Sequence, residues 1–147
     1  YHCPGDLRTK LASLGAGYAY DSYSLAGGLN AGGWGGAAPI LKFSEIKDAP
    51  NAYVFVEEAD SRGYNNGAWV LNPISHTWVD PIAIWHNQKS TLSFADGHVE
   101  IHKWEEQSTI AAAAAAHKRL GTPFYWGRAT PIDRDFEYME PRFIYRR

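Results

Sequence analysis

Asp96-Gly97 lies at the centre of the stretch 85–104, WHNQKSTLSFADGHVEIHKW. An Asp-Gly pair suits the two central positions of a type I′ turn, because both need positive φ. Folding the chain back there pairs Phe94 with Val99, Ser93 with Glu100, Leu92 with Ile101 and Thr91 with His102. The apolar pairs then share one face and the polar pairs the other. The pattern predicts an antiparallel hairpin over 91–95 and 98–102, with Phe94, Val99, Leu92 and Ile101 turned to the core. A one-residue slip would invert both faces, so the sorting itself specifies the register.

The rest of the chain supplies partners for that hairpin. Residues 51–57 are aromatic and β-branched on both faces, which predicts a central strand covered on both sides. Residues 18–25 alternate in a second strand pattern. Asp6 is placed to cap a short helix over 7–14, and another short helix is expected over 42–48. Alanines 111–116 favour helix, with Ser108 or Thr109 as cap, His117, Lys118 and Arg119 at the dipole's negative end, and Gly121 and Pro123 as the stop. Residues 26–39 are rich in glycine and read as a turning loop. These elements predict an α+β fold, an antiparallel sheet with short helices and a long irregular C-terminal tail. At 147 residues one domain is expected, 1–147, with a core over 1–121 and an aromatic tail over 122–147.

Composition excludes several function classes. A net charge of −2 gives no electrostatic basis for binding nucleic acid. A single cysteine, Cys3, rules out an intrachain disulfide within these residues. No run approaches the ~18 apolar residues of a membrane span. Six Trp, nine Tyr and six Phe are enough to fill an aromatic core or to present stacking surface to sugars or neighbouring subunits.

The sequence offers residues for three site chemistries. His86, Asp96, His98 and His102 suggest zinc by proximity in sequence. On a strand, however, His98 and His102 stand ~13 Å apart, far beyond ligands at ~2.0–2.1 Å from one ion. His86 is instead expected to bond backbone near the Asp96-Gly97 turn. The acidic loop offers Glu57, Glu58, Asp60 and Asn65 as hard oxygen ligands, which makes calcium the candidate ion, against a plain hydrogen-bonded loop. Carboxylate pairs for glycoside hydrolysis could be drawn from Glu57, Glu58, Asp60 and Asp96, but nothing fixes two across a cleft. No Gly-x-Ser-x-Gly elbow exists. No enzyme is expected; a secreted carbohydrate-binding or hydrolytic domain is the alternative class.

His86, nine residues, then Asp96-Gly97 resembles the signature of bacterial prepilin-type proteins with a His-x9-Asp-Gly motif, the pilin-like or pseudopilin-like proteins of type II secretion and type IV pilus systems. Phe94-Ala95-Asp96-Gly97-His98 running into Lys103-Trp104 fits that resemblance, as does Cys3-Pro4-Gly5-Asp6, which is similar to the family's Cys-Pro-x-Asp element. The likeness extends over about residues 3–109. It implies a pilin-like fold and a structural subunit of an extracellular or cell-envelope filament. The implied partners are further copies in a helical homopolymer, other pilins or secretion-system components. It also implies a structural calcium near a β-loop. In the family a leader and a long apolar helix precede the globular part. Neither is in this sequence, so a C-terminal globular portion is expected, meeting membrane only through that missing helix. In the tail, Phe124, Tyr125, Trp126, Arg142, Phe143 and Tyr145 are expected to face a neighbouring subunit. The alternative is a strap over the chain's own domain.

Overall fold

The hairpin forms, but one residue out of the expected register. In the computed structural model, which describes residues 1–12, 19–29, 38–60, 68–118, 127–128 and 132–146, strands β5 (Lys89–Phe94) and β6 (Val99–Lys103) pair Ser93 with Val99, Leu92 with Glu100 and Thr91 with Ile101. The connection is a three-residue loop, not a two-residue one. Gly97 N–H donates to Phe94 O at 3.0 Å, and Phe94 N–H donates to His98 O at 3.0 Å. Only Gly97 takes a positive φ, +96°, while Asp96 does not. That is a turn closed by a left-handed glycine, which inserts a bulge and shifts the pairing by one.

The shift corrects half of the expected core. Leu92 and Phe94 are buried, but Val99 and Ile101 are 60% and 67% exposed on the opposite face. β6 is the edge of the sheet, and its inward residues meet polar groups of the tail. Tyr138 donates to Glu100 Oε2 at 2.8 Å, and the His102 ring stacks on Tyr138 at 3.8 Å.

The chain is α+β. An antiparallel four-stranded sheet has the order β1 (Tyr23–Leu25), β2 (Tyr53–Glu57), β5, β6. A second, small sheet joins β3 (Leu71–Asn72), β4 (Thr77–Trp78) and β7 (Gly127–Arg128). Tyr53, Val56 and Leu92 of the first sheet share one core cluster with Trp69, Leu71 and Trp78. Edge-to-face contacts link Tyr53 to Trp69 at 5.7 Å and Trp69 to Trp78 at 6.4 Å, the arrangement that ring quadrupoles favour. β2 is central as expected, yet its second side is covered only in part: Glu57 is buried there, while Phe55 is 47% exposed.

Helix α1 (Gln107–Lys118) shows what its alanines do. Thr109, Ala113 and Ala116 form its buried stripe at helical spacing. Ala116 meets Ala59 and Ala83, with Trp85 packed alongside, a close approach that larger side chains would prevent. The helices expected over 7–14 and 42–48 are shorter, 3-10 turns at Leu7–Lys10 and Phe43–Glu45.

The tail differs most from expectation. It carries a helix, α2 (Arg134–Met139), whose N-cap Asp133 accepts from Phe136 N–H at 2.8 Å and from Trp78 Nε1 at 3.0 Å. Asp135 reaches across to accept from Glu105 and Glu106 N–H, ahead of α1. Phe136, Met139 and Phe143 lie in the main core, so the core does not end near 121. Beyond them, Arg146 N–H donates to Ala38 O at 2.8 Å. Gly28 lies beneath this run, and any Cβ there would overlap the Ile144 carbonyl.

The register predicts a contrast. Phe94→Ala should cost about 3–5 kcal/mol in urea unfolding, while Ile101→Ala should stay within about 0.5 kcal/mol of the parent. Comparable losses at both positions would restore the two-residue turn.

Candidate functional site

The site is built on a turn at the start of the chain. Cys3-Pro4-Gly5-Asp6 closes through Asp6 N–H donating to Cys3 O at 2.9 Å, with proline at the position whose φ the turn requires. Asp6 then caps the 3-10 turn, accepting from Arg8 N–H at 3.0 Å. The Arg8 side chain bends back onto the same carboxylate with two parallel bonds, Nε to Oδ1 at 2.9 Å and Nη2 to Oδ2 at 2.8 Å. Its remaining donors bind the carbonyls of Asp60 at 2.9 Å and Glu58 at 3.1 Å, and its Cζ lies 5.0 Å from the centre of the Trp85 ring. Ser22 Oγ donates to Asp6 Oδ2 at 2.8 Å and accepts from Cys3 N–H at 2.9 Å. Asp6 and Arg8 are 1% and 3% exposed. Burial alone would push the Asp6 carboxyl up; Arg8 and Ser22 more than reverse this and hold it below the usual carboxylate range.

This latch carries Cys3 to the end of β2. Cys3 Sγ lies 3.2 Å from His86 Nε2, and the same nitrogen lies 3.0 Å from Glu57 Oε1. Glu57 Oε2 accepts from Thr91 N–H at 2.8 Å on the neighbouring strand, and Gly5 N–H points at the sulfur from 3.4 Å. Among the described residues this is the one group of three or more His, Cys, Asp and Glu side chains whose ligand atoms all lie within 4.8 Å of one another. Cys3 and Glu57 are buried, at 2% and 0% exposure. Burial, and then the Glu57 charge, push the Cys3 thiol up despite the Gly5 N–H. Tyr23, paired with Glu57 across the β1–β2 ladder, has its phenol raised by burial and by Glu57 and Cys3.

His86 is held by a turn that the sequence does not advertise. Asn87 and Gln88 both take positive φ, 56° and 60°, as the central residues of a type I′ turn must. His86 N–H donates to Lys89 O at 3.4 Å, and Gln88 O accepts from Trp104 N–H at 3.0 Å. The primed turn is therefore at Asn87-Gln88, at the opposite end of β5 from Asp96-Gly97.

Several expectations are corrected by this arrangement. His86 does not bond the Asp96-Gly97 turn, which lies a strand length of ~20 Å away; it meets Cys3 and Glu57. Asp96 holds its own turn, with Oδ1 accepting from His98 N–H at 3.1 Å and lying 2.6 Å from His98 Nδ1. Glu57 faces His86, whereas Glu58, one residue on, follows the opposite side of the strand. Glu57, Glu58 and Asp60 form no shared ligand group among the described residues, and Asn65 lies outside them. In the tail, Phe143 is 4% exposed in the core, Tyr145 packs against that core, and Arg142 lies 4.0 Å over the Tyr138 ring. These three serve the domain's own packing; Phe124, Tyr125 and Trp126 lie outside the described residues.

Sequence reasoning missed Cys3 as a site residue, along with Tyr23, Asp6 and Arg8. The available signal was the Cys-Pro-x-Asp spacing together with Arg8 two residues on, an acid and a base close enough to pair. No protein-family model, no curated protein and no solved structure matches the chain.

Removing the Asp6 charge should cost about 3–5 kcal/mol, because it strands a buried guanidinium. The folded pKa of Asp6 is depressed, so its stabilisation is fully present above the unfolded value of ~3.9 and is lost as pH falls through the lower folded value. Urea titrations from pH 7 to pH 2 should show this acid loss in the parent and a smaller one in Asp6→Asn. Identical acid limbs would contradict the pairing.

Proposed function

We propose that this chain is a structural subunit that works by assembly, of the pilin or pseudopilin kind its motifs resemble, in an extracellular or cell-envelope filament. The observation that supports it is the partly uncovered face of the four-stranded sheet. Leu25, Phe55, Ser93 and Val99 form one row across that face, and Tyr23, Glu57, Thr91 and Ile101 form the next. Phe55, Val99 and Ile101 are the exposed apolar groups, and a cleft of about 410 Å³ beside them is lined by Tyr1, Tyr23, Phe55 and Val99. A central strand apolar on both faces is suited to cover on both, and an apolar patch left in water favours association.

The partner in this reading is another copy of the chain, or a related pilin or secretion-system component, laid against that face. Repeated contacts of this kind that do not close on themselves propagate a helical polymer. A non-catalytic role accords with the cluster at Glu57. A thiol nucleophile needs its histidine to hold the thiol on one ring nitrogen and the orienting carboxylate on the other. Here thiol and carboxylate meet the same nitrogen. Among the described residues no helix is long and apolar enough to cross a membrane.

Val99→Glu and Ile101→Glu test the reading. Both positions are exposed, so stability should change by no more than about 0.5 kcal/mol. Sedimentation velocity and negative-stain microscopy should show the parent assembling with rising concentration and both variants remaining monomeric. A parent that stays monomeric, or variants that build the same filament, would count against this face.

A further inference from the structure

We propose that Cys3, Glu57 and His86 form a binding site for a divalent transition-metal ion of the zinc type, held through Sγ, Oε1 and Nε2, with its fourth position on the side of Tyr23 and the adjoining cleft. This site is independent of the assembly reading and stands or falls separately.

The first support is convergence. Three donors come from positions 3, 57 and 86, and two of them point at one nitrogen, Nε2 of His86. One nitrogen has a single in-plane direction to offer, so the pair compete for it as hydrogen-bond partners. As ligands they do not compete, because the three atoms all lie within 4.8 Å of one another and one ion can take all three. In a tetrahedral site with Zn–S of ~2.3 Å and Zn–N or Zn–O of ~2.0–2.1 Å, ligand atoms lie about 3.3–3.6 Å apart. The two contacts to His86 are 3.2 Å and 3.0 Å, so those edges need a few tenths of an ångström of opening, while the Sγ–Oε1 edge, within 4.8 Å, is free to draw in around the ion.

The second support is chemical. A thiolate with an imidazole is the donor pair that selects zinc and its neighbours, whereas magnesium and calcium take oxygen alone. Glu57 and Cys3 lie side by side at almost zero exposure, an arrangement that is costly for a carboxylate and that a bound cation relieves.

The third support is that each ligand is already positioned. Asp6 and Arg8 hold the turn bearing Cys3. Thr91 N–H engages Glu57 Oε2 and leaves Oε1 toward the cluster. Asn87 and Gln88, in left-handed backbone, set His86. The His86 side chain is 36% exposed, which gives an ion its route in from solvent. Bound there, the metal would staple the N-terminal turn to β2 and to the turn before β5, on the same sheet face as Phe55 and Ile101.

The test uses tag-free full chain, chelator-treated and then titrated with zinc or cobalt(II). Zinc should raise the melting temperature with concentration, since a ligand bound only by the folded state stabilises it. Cobalt should give the charge-transfer absorption of a metal–thiolate bond. Because Cys3 is the sole cysteine, that band reports this site alone, and zinc should slow alkylation of the thiol at least tenfold. Cys3→Ser should abolish the band, and His86→Gln should weaken zinc binding at least tenfold. The parent measurements decide the matter even if a variant does not fold. No band, no protection and an unmoved melting curve would overturn the proposal, as would zinc binding undiminished in a folded His86→Gln.

Discussion

The buried pair of Asp6 and Arg8 is the constraint on which the N-terminal part of this structure depends. Both side chains are almost fully withdrawn from water, and a desolvated ion pair is tolerated only where its geometry is good and its other donors are satisfied. Both conditions hold. The fork of Arg8 meets both oxygens of Asp6, and its outward edge takes the carbonyls of Glu58 and Asp60. One guanidinium thus closes a local turn and bridges it to the segment that continues β2, fifty residues on. Cys3 is fixed as a consequence, through the turn carbonyl and Ser22.

Two features that the sequence reading treated apart share one face of the sheet. Tyr23 and Glu57 are cross-strand partners, and Glu57 is next to Thr91 on the other side through Thr91 N–H. The same row continues to Ile101 on the edge strand. The polar cluster therefore occupies one end of a face that elsewhere exposes Phe55, Val99 and Ile101. A rigid anchor at that end defines where residues 1–6 lie, and hence the wall that Tyr1 and Tyr23 give to the cleft.

Much of the fold was legible, and the failures have physical causes. The hairpin, the central strand at 53–57 and the alanine helix follow from periodicity and propensity, which are local. The register failed because Asp-Gly serves a primed two-residue turn and a glycine-bulged three-residue turn alike, and alternation on an edge strand does not choose between them. Val99 and Ile101 read as core because alternation alone turns apolar residues inward; the shifted register, with Ser93 and Thr91 as their partners, leaves both exposed. The tail read as irregular because it is aromatic and punctuated by proline, which hides the caps Asp133 and Asp135. Their role as caps depends on Trp78 and on the residues before α1, which local sequence does not place nearby. The site was legible only in fragments. Glu57 and His86 stand out as polar candidates, but Cys3 shows only as part of a turn motif, and an 83-residue separation between Cys3 and His86 leaves no local trace.

The central claim is that the Asp6–Arg8 pair holds Cys3 against Glu57 and His86. The alkylation rate of the Cys3 thiol in metal-free protein at neutral pH measures it directly, since a buried thiol reacts only through local opening. Losing an interaction of about 3 kcal/mol should raise that rate roughly a hundredfold in Asp6→Ala, while near-ultraviolet circular dichroism reports the aromatic core intact. An unchanged rate in a folded Asp6→Ala would contradict the account.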